Sequence, residues 1–538
     1  MRKPHWQRHL LPHPHDTENF DLALRKAESL VHSWKAHWHK HPDRAVLHAP
    51  DGGWRTGAQL EKRSREIAEH LWAAGLRPGE RVFLSAESSG ALVETYIALH
   101  RVNAIVVPVN TAYQEPEIAH ILQDATPSLA IVDSPTRATQ IRRIRLDTQV
   151  FSPAGAGATA ETDRLFAPIP TSTSTDSAIL DTATGECPAI LCYTSGTTGR
   201  PKGALLTHAN LVAAAESLRI AWRWSPQDRL ALALPLFHMH GLGIGLHGTL
   251  HAGASVVLLP NFDIDLLLDA IRDHNCSLFF GVPTMYQRLA QSARAHELSA
   301  LRLCVSGSAP LPPDLFNTIE EQSNQRILER YGLTETLMNL SNPYHGERRP
   351  GTVGFPLPGV EVRLDTADGQ ETGEILVRGP NVFSGYWNRP DATASAFDDG
   401  WFRTGDLGQC DETGYFRIVG RAKELIISGG YNVYPREVEE ALREHPAVGD
   451  AAVIGRPSKE WGETVIAFVE QDAHHNTPNK EVAPETALTK ELSSFVAERL
   501  APYKRPKAIY WVQALPRNAL GKVTKHRLAS PDDADTPL

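Results

Sequence analysis

The sequence predicts a mixed architecture: a large N-terminal α/β part made of more than one subdomain and carrying a small β-barrel, then a small α+β domain. Three observations predict it. Short apolar runs alternate with helical stretches from Ala45 to about Val150, and the alternation resumes beyond a small-residue loop at about residues 152–186. From about Gly351 the texture changes to short strands punctuated by Gly and Pro. After Arg421 a compact unit begins. At 538 residues the chain is too long for one core, and roughly 150 residues per domain suggests three or four folding units.

RVFLSAE, AIVVPVN and LAIVD read as strands, and SREIAEHLWAAG and ALVETYIALHR as helices. This alternation argues for βα units and a largely parallel sheet. ECPAILCY and GALLT are strands on either side of a glycine-rich loop. ALALP, SVVLLP, SLFFGVP and LRLCVSG are further strands, each followed by helical sequence. VEVRL, GEILVRG and GYFRIVG make up the barrel-like stretch. The last unit contains VEEALREHPAV, DAAVIG, TVIAFVE, a helix from about Leu488 and KAIYWV. The loop DAHHNTPNKEVAPE and the tail SPDDADTPL read as mobile.

A formal charge of −9 argues against a nucleic-acid binder, which carries a basic excess. No run reaches the ~18 apolar residues of a membrane span, and MRKPHWQRHLLPHPHD lacks the apolar core of a secretory signal. Five scattered cysteines without a C-x-x-C pair fit reduced thiols and a cytoplasmic location. The histidines of PHWQRHLLPHPH lack a metal-ligand pattern.

YTSGTTGRPKG, Tyr193 to Gly203, concentrates the chemistry. It is not a Walker A loop, because Pro201 rather than Gly precedes Lys202 and a strand follows. It is nevertheless built for phosphate. Glycines 196, 199 and 203 let backbone approach oxygens, and successive amides form an anion nest. Thr194, Ser195, Thr197 and Thr198 add hydroxyl donors, and Lys202 adds a cation. GIGLHG, Gly243 to Gly248, satisfies G-x-G-x-x-G, but PLFHMHGL separates it from the preceding strand. Close helix packing through small residues is the better reading there.

The eleven-residue loop resembles the signature of the adenylate-forming superfamily of acyl-CoA synthetases, luciferases and peptide-synthetase adenylation domains. SGSAP (Ser306–Pro310), YGLTE (Tyr331–Glu335), TGD (Thr404–Asp406), GRAKELIISGGYNVYPREVE (Gly420–Glu439) and PRNALGKVTK (Pro516–Lys525) follow in that family's order. The resemblance runs from about Pro42 to Leu528 and implies two half-reactions. A carboxylate attacks the α-phosphate of ATP, and a thiol, usually of coenzyme A, then displaces AMP.

The resemblance also implies roles. Thr194, Ser195, Gly196, Thr197, Thr198, Gly199 and Lys202 would hold the leaving pyrophosphate. Thr334 would contact phosphate and Glu335 would bind Mg²⁺. Tyr331 with Gly332, and the segment Gly307, Ser308, Ala309 and Pro310, would hold adenine. Asp406 and Arg421 would bind ribose, and Lys522 would be the catalytic cation between acid and phosphate oxygens. Residues 1–420 would form an AMP-binding domain and residues 421–538 a small mobile domain hinged at Lys423. Ser428, Gly429 and Gly430 would line the pantetheine passage, and APYKRPK would meet coenzyme A phosphates. His238 would be the gate that moves for the thiol.

PLFHMHG lacks the Asp with which amino-acid-activating relatives hold an amino group. TETLMNLSNPY and GVPTMYQRL look like the malonyl-CoA synthetase branch. A second carboxylate needs a buried partner, and arginine suits it. Arg288, helped by His240 and Asn339, is the expected reader of that carboxylate, with malonate or methylmalonate as substrate. A medium-chain fatty or aryl acid is the alternative, and a non-ligating adenylate binder is remote, because Glu335, Asp406, Arg421, Lys423 and Lys522 occur together. The expected enzyme works on a small carboxylic acid as a monomer or homodimer.

Overall fold

A computed structural model describes residues 8–9, 28–153, 179–194, 201–366, 370–428, 431–458, 461–472, 485–518 and 521–528. The chain divides into two compact units. The large unit comprises Met1–Arg363, Leu376–Arg403 and Glu412–Phe416; the small unit comprises Leu364–Ile375, Thr404–Asp411 and Arg417–Leu538.

Two sheets organise the large unit. One runs, in spatial order, Gly385–Tyr386, Lys202–Thr207, Pro188–Thr194, Ile105–Pro108, Arg81–Ser85, Leu129–Val132 and Gln149–Phe151. Its first βα repeats pair in parallel, with Val82 opposite both Val106 and Leu129. The helix Gly90–Arg101 is buried along its whole length, its polar residues Glu94, Thr95, His100 and Arg101 included. Its one buried cation, Arg101, pairs with Asp181 at 2.8 Å.

The second sheet has nine strands and includes Leu340–Ser341, Leu328–Tyr331, Leu303–Ser306, Leu278–Gly281 and Arg229–Leu232 as successive neighbours. Its central strands are fully buried four-residue runs, and Val305 pairs in parallel with Leu328. Phe279, Tyr286, Leu289, Leu298 and Phe316 form part of the core beneath them. GIGLHG lies within a buried helical stretch from His240 to His251, with Trp224 against Gly248.

Glu361–Asp365, Gly373–Arg378, Trp401–Cys410 and Phe397–Asp398 follow one another in a five-stranded sheet, completed by Phe416–Arg421. In the small unit, Val448–Ser458 and Gly462–Gln471 form a long antiparallel ladder, and Ala508–Val512 joins it in parallel. The helix Pro435–Arg443 buries Val438, Ala441 and Leu442, and Leu492 and Val496 of Glu485–Ala497 join the same core. Residues 154–178 of the predicted loop, residues 473–484 and the tail 529–538 lie outside the described residues. Among the described residues no helix is long and apolar enough to cross a membrane.

Candidate functional site

The phosphate-loop motif folds as two antiparallel strands, with Tyr193 opposite Gly203 and Thr194 opposite Lys202. Ser195, Gly196, Thr197, Thr198 and Gly199 lie outside the described residues. Both flanks are anchored. The Tyr193 hydroxyl donates to Asp124 at 2.7 Å, and the Pro201 carbonyl meets His120 Nε2 at 2.8 Å. Lys202 is exposed, and its ammonium stands 5.1 Å from the centre of the Tyr386 ring.

The segments expected to hold adenine and metal follow the carboxyl ends of Leu303–Ser306 and Leu328–Tyr331, where parallel sheets present their ligand-binding loops. Ser308 adopts a left-handed φ of 69°, a strained conformation for a residue with a side chain. Tyr331, Gly332 and Thr334 are half-buried, and Glu335 is buried. Phe383 N donates to the Glu335 carbonyl at 2.8 Å, and the Tyr386 hydroxyl donates to its carboxylate at 3.0 Å. The Glu335 carboxylate supplies the hard oxygen donors that Mg²⁺ would need.

The expected reader of a distal carboxylate is corrected. Arg288 lies on the helix Pro283–Ala290, whose buried residues are Pro283, Tyr286 and Leu289. Arg288 faces out, is exposed, and stacks 4.9 Å from the Phe262 ring centre. The structure does not bring it to His240. Asn339 is also corrected: it is fully buried, its amide donates to Thr336 at 2.8 Å, and its carbonyl oxygen accepts from Asn381 at 3.2 Å. It braces the turn and presents nothing to a substrate.

A different arginine occupies the interior. Arg330 lies in the strand Leu328–Tyr331 and is 6% exposed. Among the described residues its Nε and Nη2 have no partner, and it forms no ion pair. Burial pushes its pKa down to about 9. A Cβ on Gly307 would lie 2.3 Å from Arg330 Cζ, so the absent side chain leaves the guanidinium its place.

His238 and His240 are charge neighbours of Arg330. Burial, then the Arg330 cation, lowers His238 to about 4 and drives His240 well below the ordinary value. Both imidazoles are neutral at pH 7. His238 Nδ1 accepts from His240 N at 3.2 Å, so its proton sits on Nε2. His240 Nδ1 meets Ser308 Oγ at 3.1 Å, and its Nε2 is buried without a partner among the described residues. Sequence reading missed Arg330, although a charged pair, Glu329–Arg330, inside a buried strand was a legible signal.

The small unit brings together the other predicted residues. In the TGD turn Gly405 has φ 71° and Asp406 N is held by Thr404 Oγ1 at 3.1 Å. The buried Asp406 carboxylate pairs with Arg421 Nε at 2.9 Å. Lys522 sits near both, and near Glu424 and Lys525. Desolvation, then the Arg421 cation, holds its pKa below the ordinary lysine value; its side chain is exposed, so water screens both effects. Lys525 bridges Glu424 at 3.1 Å and Glu439 at 2.8 Å. Lys423 is exposed in the short turn Ala422–Glu424. Ser428 ends a strand and is buried, and Gly429 and Gly430 lie outside the described residues.

Beside them lies an exposed aromatic patch. Tyr431 is 59% exposed and stacks on Tyr503 at 4.7 Å, and Lys507 stands 5.0 Å over the exposed Trp461. The other cations of APYKRPK have structural partners: Lys504 pairs with Glu437 at 2.5 Å, and Arg505 donates to Leu500 and Ala497 carbonyls at 2.8 Å. Flat rings beside a cation suit a nucleotide such as that of coenzyme A.

Comparison with known proteins agrees with this geometry. The model of the AMP-binding enzyme family matches residues 34–387, and that of the AMP-binding enzyme C-terminal domain matches residues 437–522. The feruloyl-CoA synthase of Amycolatopsis sp is 36% identical over 479 residues, covering 87% of this chain and 92% of that enzyme. The malonate–CoA ligase of Arabidopsis thaliana is 34% identical over 481 residues, covering 84% and 78%. The crystal structure of ATP-bound MatB from Rhodopseudomonas palustris is 36% identical with a TM-score of 0.83, covering 92% of this chain and 97% of that one. With family models matching both parts of the chain and such relatives along most of its length, the chain belongs to the AMP-binding enzyme family and is an acyl-CoA synthetase.

Proposed function

We propose that this synthetase activates a small dicarboxylic acid, malonate or methylmalonate, with ATP and Mg²⁺ and transfers it to coenzyme A. Arg330 is the observation that carries the reading. An unpaired guanidinium inside a protein is expensive, and a substrate carboxylate would supply the missing charge and bidentate acceptors. Neutral His238 and His240 and the Ser308 hydroxyl add hydrogen-bonding capacity without competing for that charge. Relatives alone do not separate the substrates, since the feruloyl and malonate enzymes are about equally similar.

In the first half-reaction an oxygen of the near carboxylate bonds to the α-phosphorus of ATP as the bond to the β-phosphate oxygen breaks. Thr194, Lys202 and the loop between them hold the departing pyrophosphate, and Thr334 contacts phosphate. Glu335 would hold Mg²⁺, which would supply positive charge to offset that of the leaving group. Tyr331, Gly332 and the segment Gly307–Pro310 seat adenine, while Asp406 and Arg421 hold ribose. Lys522 stabilises the negative charge that develops between acid and phosphate oxygens.

In the second half-reaction the thiol attacks the acyl carbon and AMP leaves. Lys423 and Ser428 of the small unit and His238 of the large unit would serve the entry of the thiol, as the family resemblance implies. A monocarboxylate with an aryl or alkyl tail is the second reading. A small apolar pocket lined by Leu92, Val93, Tyr96, Leu236, Phe237 and Leu246 favours it.

The test is AMP release from malonate, methylmalonate, succinate, acetate, octanoate and benzoate by the wild-type enzyme and by Arg330→Met. The variant should lose about 2–5 kcal/mol in kcat/KM for malonate and little for acetate. Parallel losses on the two acids, or a wild-type preference for octanoate or benzoate, would reject the dicarboxylate.

A further inference from the structure

One short segment, Phe383 to Arg389, touches both the phosphate-loop hairpin and the metal carboxylate. Gly385 and Tyr386 pair with Leu205 and Ala204 of the strand that begins at Lys202. Trp387 N donates to the Gly203 carbonyl at 2.8 Å. The Trp387 indole and the Arg389 guanidinium meet Asp124, at its carbonyl (3.2 Å) and its carboxylate (3.0 Å). Asp124 in turn receives the Tyr193 hydroxyl on the opposite flank of the hairpin. The segment therefore grips both strands that carry the loop.

The same segment holds Glu335 twice, by Phe383 N on its carbonyl and by the Tyr386 hydroxyl on its carboxylate. Tyr386 faces both functional groups. Its hydroxyl orients an anion and its ring face receives the Lys202 cation. A phenol serves both purposes because its oxygen donates in the ring plane while the π face attracts positive charge. Thr393 Oγ1 accepts from Tyr386 N at 2.9 Å, and Phe383 packs edge-on to the ring at 4.9 Å, so the ring has little freedom.

We propose that Tyr386 is a positioning residue that fixes the Glu335 carboxylate relative to Lys202, so that metal and pyrophosphate are received in one register. The proposal rests on the assignment of Glu335 to Mg²⁺ and of Lys202 to phosphate. A Tyr that merely packs would stabilise the fold without separating metal-dependent from metal-independent nucleotide binding.

Calorimetric titration of the full-length enzyme with ATP, in excess Mg²⁺ and in EDTA, makes that separation. Tyr386→Phe should bind ATP in EDTA as the wild type does and bind MgATP about tenfold more weakly, with KM for malonate unchanged. Tyr386→Leu should in addition lose about two- to fivefold in EDTA, because Lys202 loses its aromatic face. Equal MgATP affinity for Tyr386→Phe and wild type overturns the proposal, as does an equal loss with and without metal. Glu335→Gln, titrated alongside, separates the two levels. If it leaves the Mg²⁺ effect intact, the metal assignment fails and the proposal falls with it. If it weakens that effect and Tyr386→Phe does not, only the positioning role fails.

Discussion

Arg330 in the large unit and Arg421 in the small one carry the same guanidinium in opposite electrostatic circumstances. Arg421 has its counter-ion, Asp406, at 2.9 Å, and the neighbouring Lys525 is balanced by Glu424 and Glu439. Arg330 is buried in a strand without an ion pair among the described residues. An unpaired buried cation is a standing cost that only an anionic ligand removes. The contrast is electrostatic: the small unit carries a cluster of paired charges, and the large unit carries a buried cation without an ion pair among the described residues.

Several experiments would break or sharpen this contrast. The largest effect should come from Lys522→Ala, which should reduce adenylate formation by about 10²–10³-fold while thiolysis of supplied acyl-AMP stays largely intact. Equal loss in both half-reactions would remove its special role. Next, Arg330→Met without substrate should be neutral or more stable by about 1–4 kcal/mol, whereas Arg421→Met should destabilise by removing the ion pair with Asp406. Urea unfolding measures both, and a matching loss for the two arginines would erase the distinction drawn here.

Acid should act on the large unit first. Burial depresses His208 to about 4 and His247 to about 3, and charge between the two adds to the effect on His247. The sign follows from linkage: unfolded histidine binds a proton near pH 6.5, and these folded ones do not. Their stabilising contribution is therefore complete above about pH 6.5 and is lost as pH falls towards 4 and then 3, up to about 3 kcal/mol for His208 and about 5 kcal/mol for His247. Hydrogen exchange at pH 7 and pH 4.5 should show protection falling around His208 and His247 before it falls in Val448–Ser458; the reverse order would contradict it.

The smallest effect concerns coenzyme A. Trp461→Ala should raise KM for coenzyme A about tenfold, in line with the ~1–3 kcal/mol of one stacked base, and leave adenylate formation unchanged. An unchanged KM would remove the aromatic patch from the site.

The nucleotide motifs were legible because their chemistry is local. A run of hydroxyls, glycines and a lysine between two strand-like runs specifies a donor-rich hairpin with little help from the rest of the chain. The strands Arg81–Ser85, Ile105–Pro108 and Leu129–Val132 were legible for the same reason, being short apolar runs bounded by turn residues. Arg288 was misread although its own helix held the answer. Pro283, Tyr286 and Leu289 recur at a three-residue spacing, so a residue two beyond Tyr286 points away from the buried face.

By itself the sequence determined the order of the motifs and the family, because those depend on which residues lie within a short distance of one another along the chain. Only the tertiary structure decided which arginine is buried, that Asn339 is consumed by Thr336 and Asn381, and that Tyr386 stands between Lys202 and Glu335. Burial and pairing of a long polar side chain are set by segments far apart in sequence, and a linear reading contains no measure of that distance.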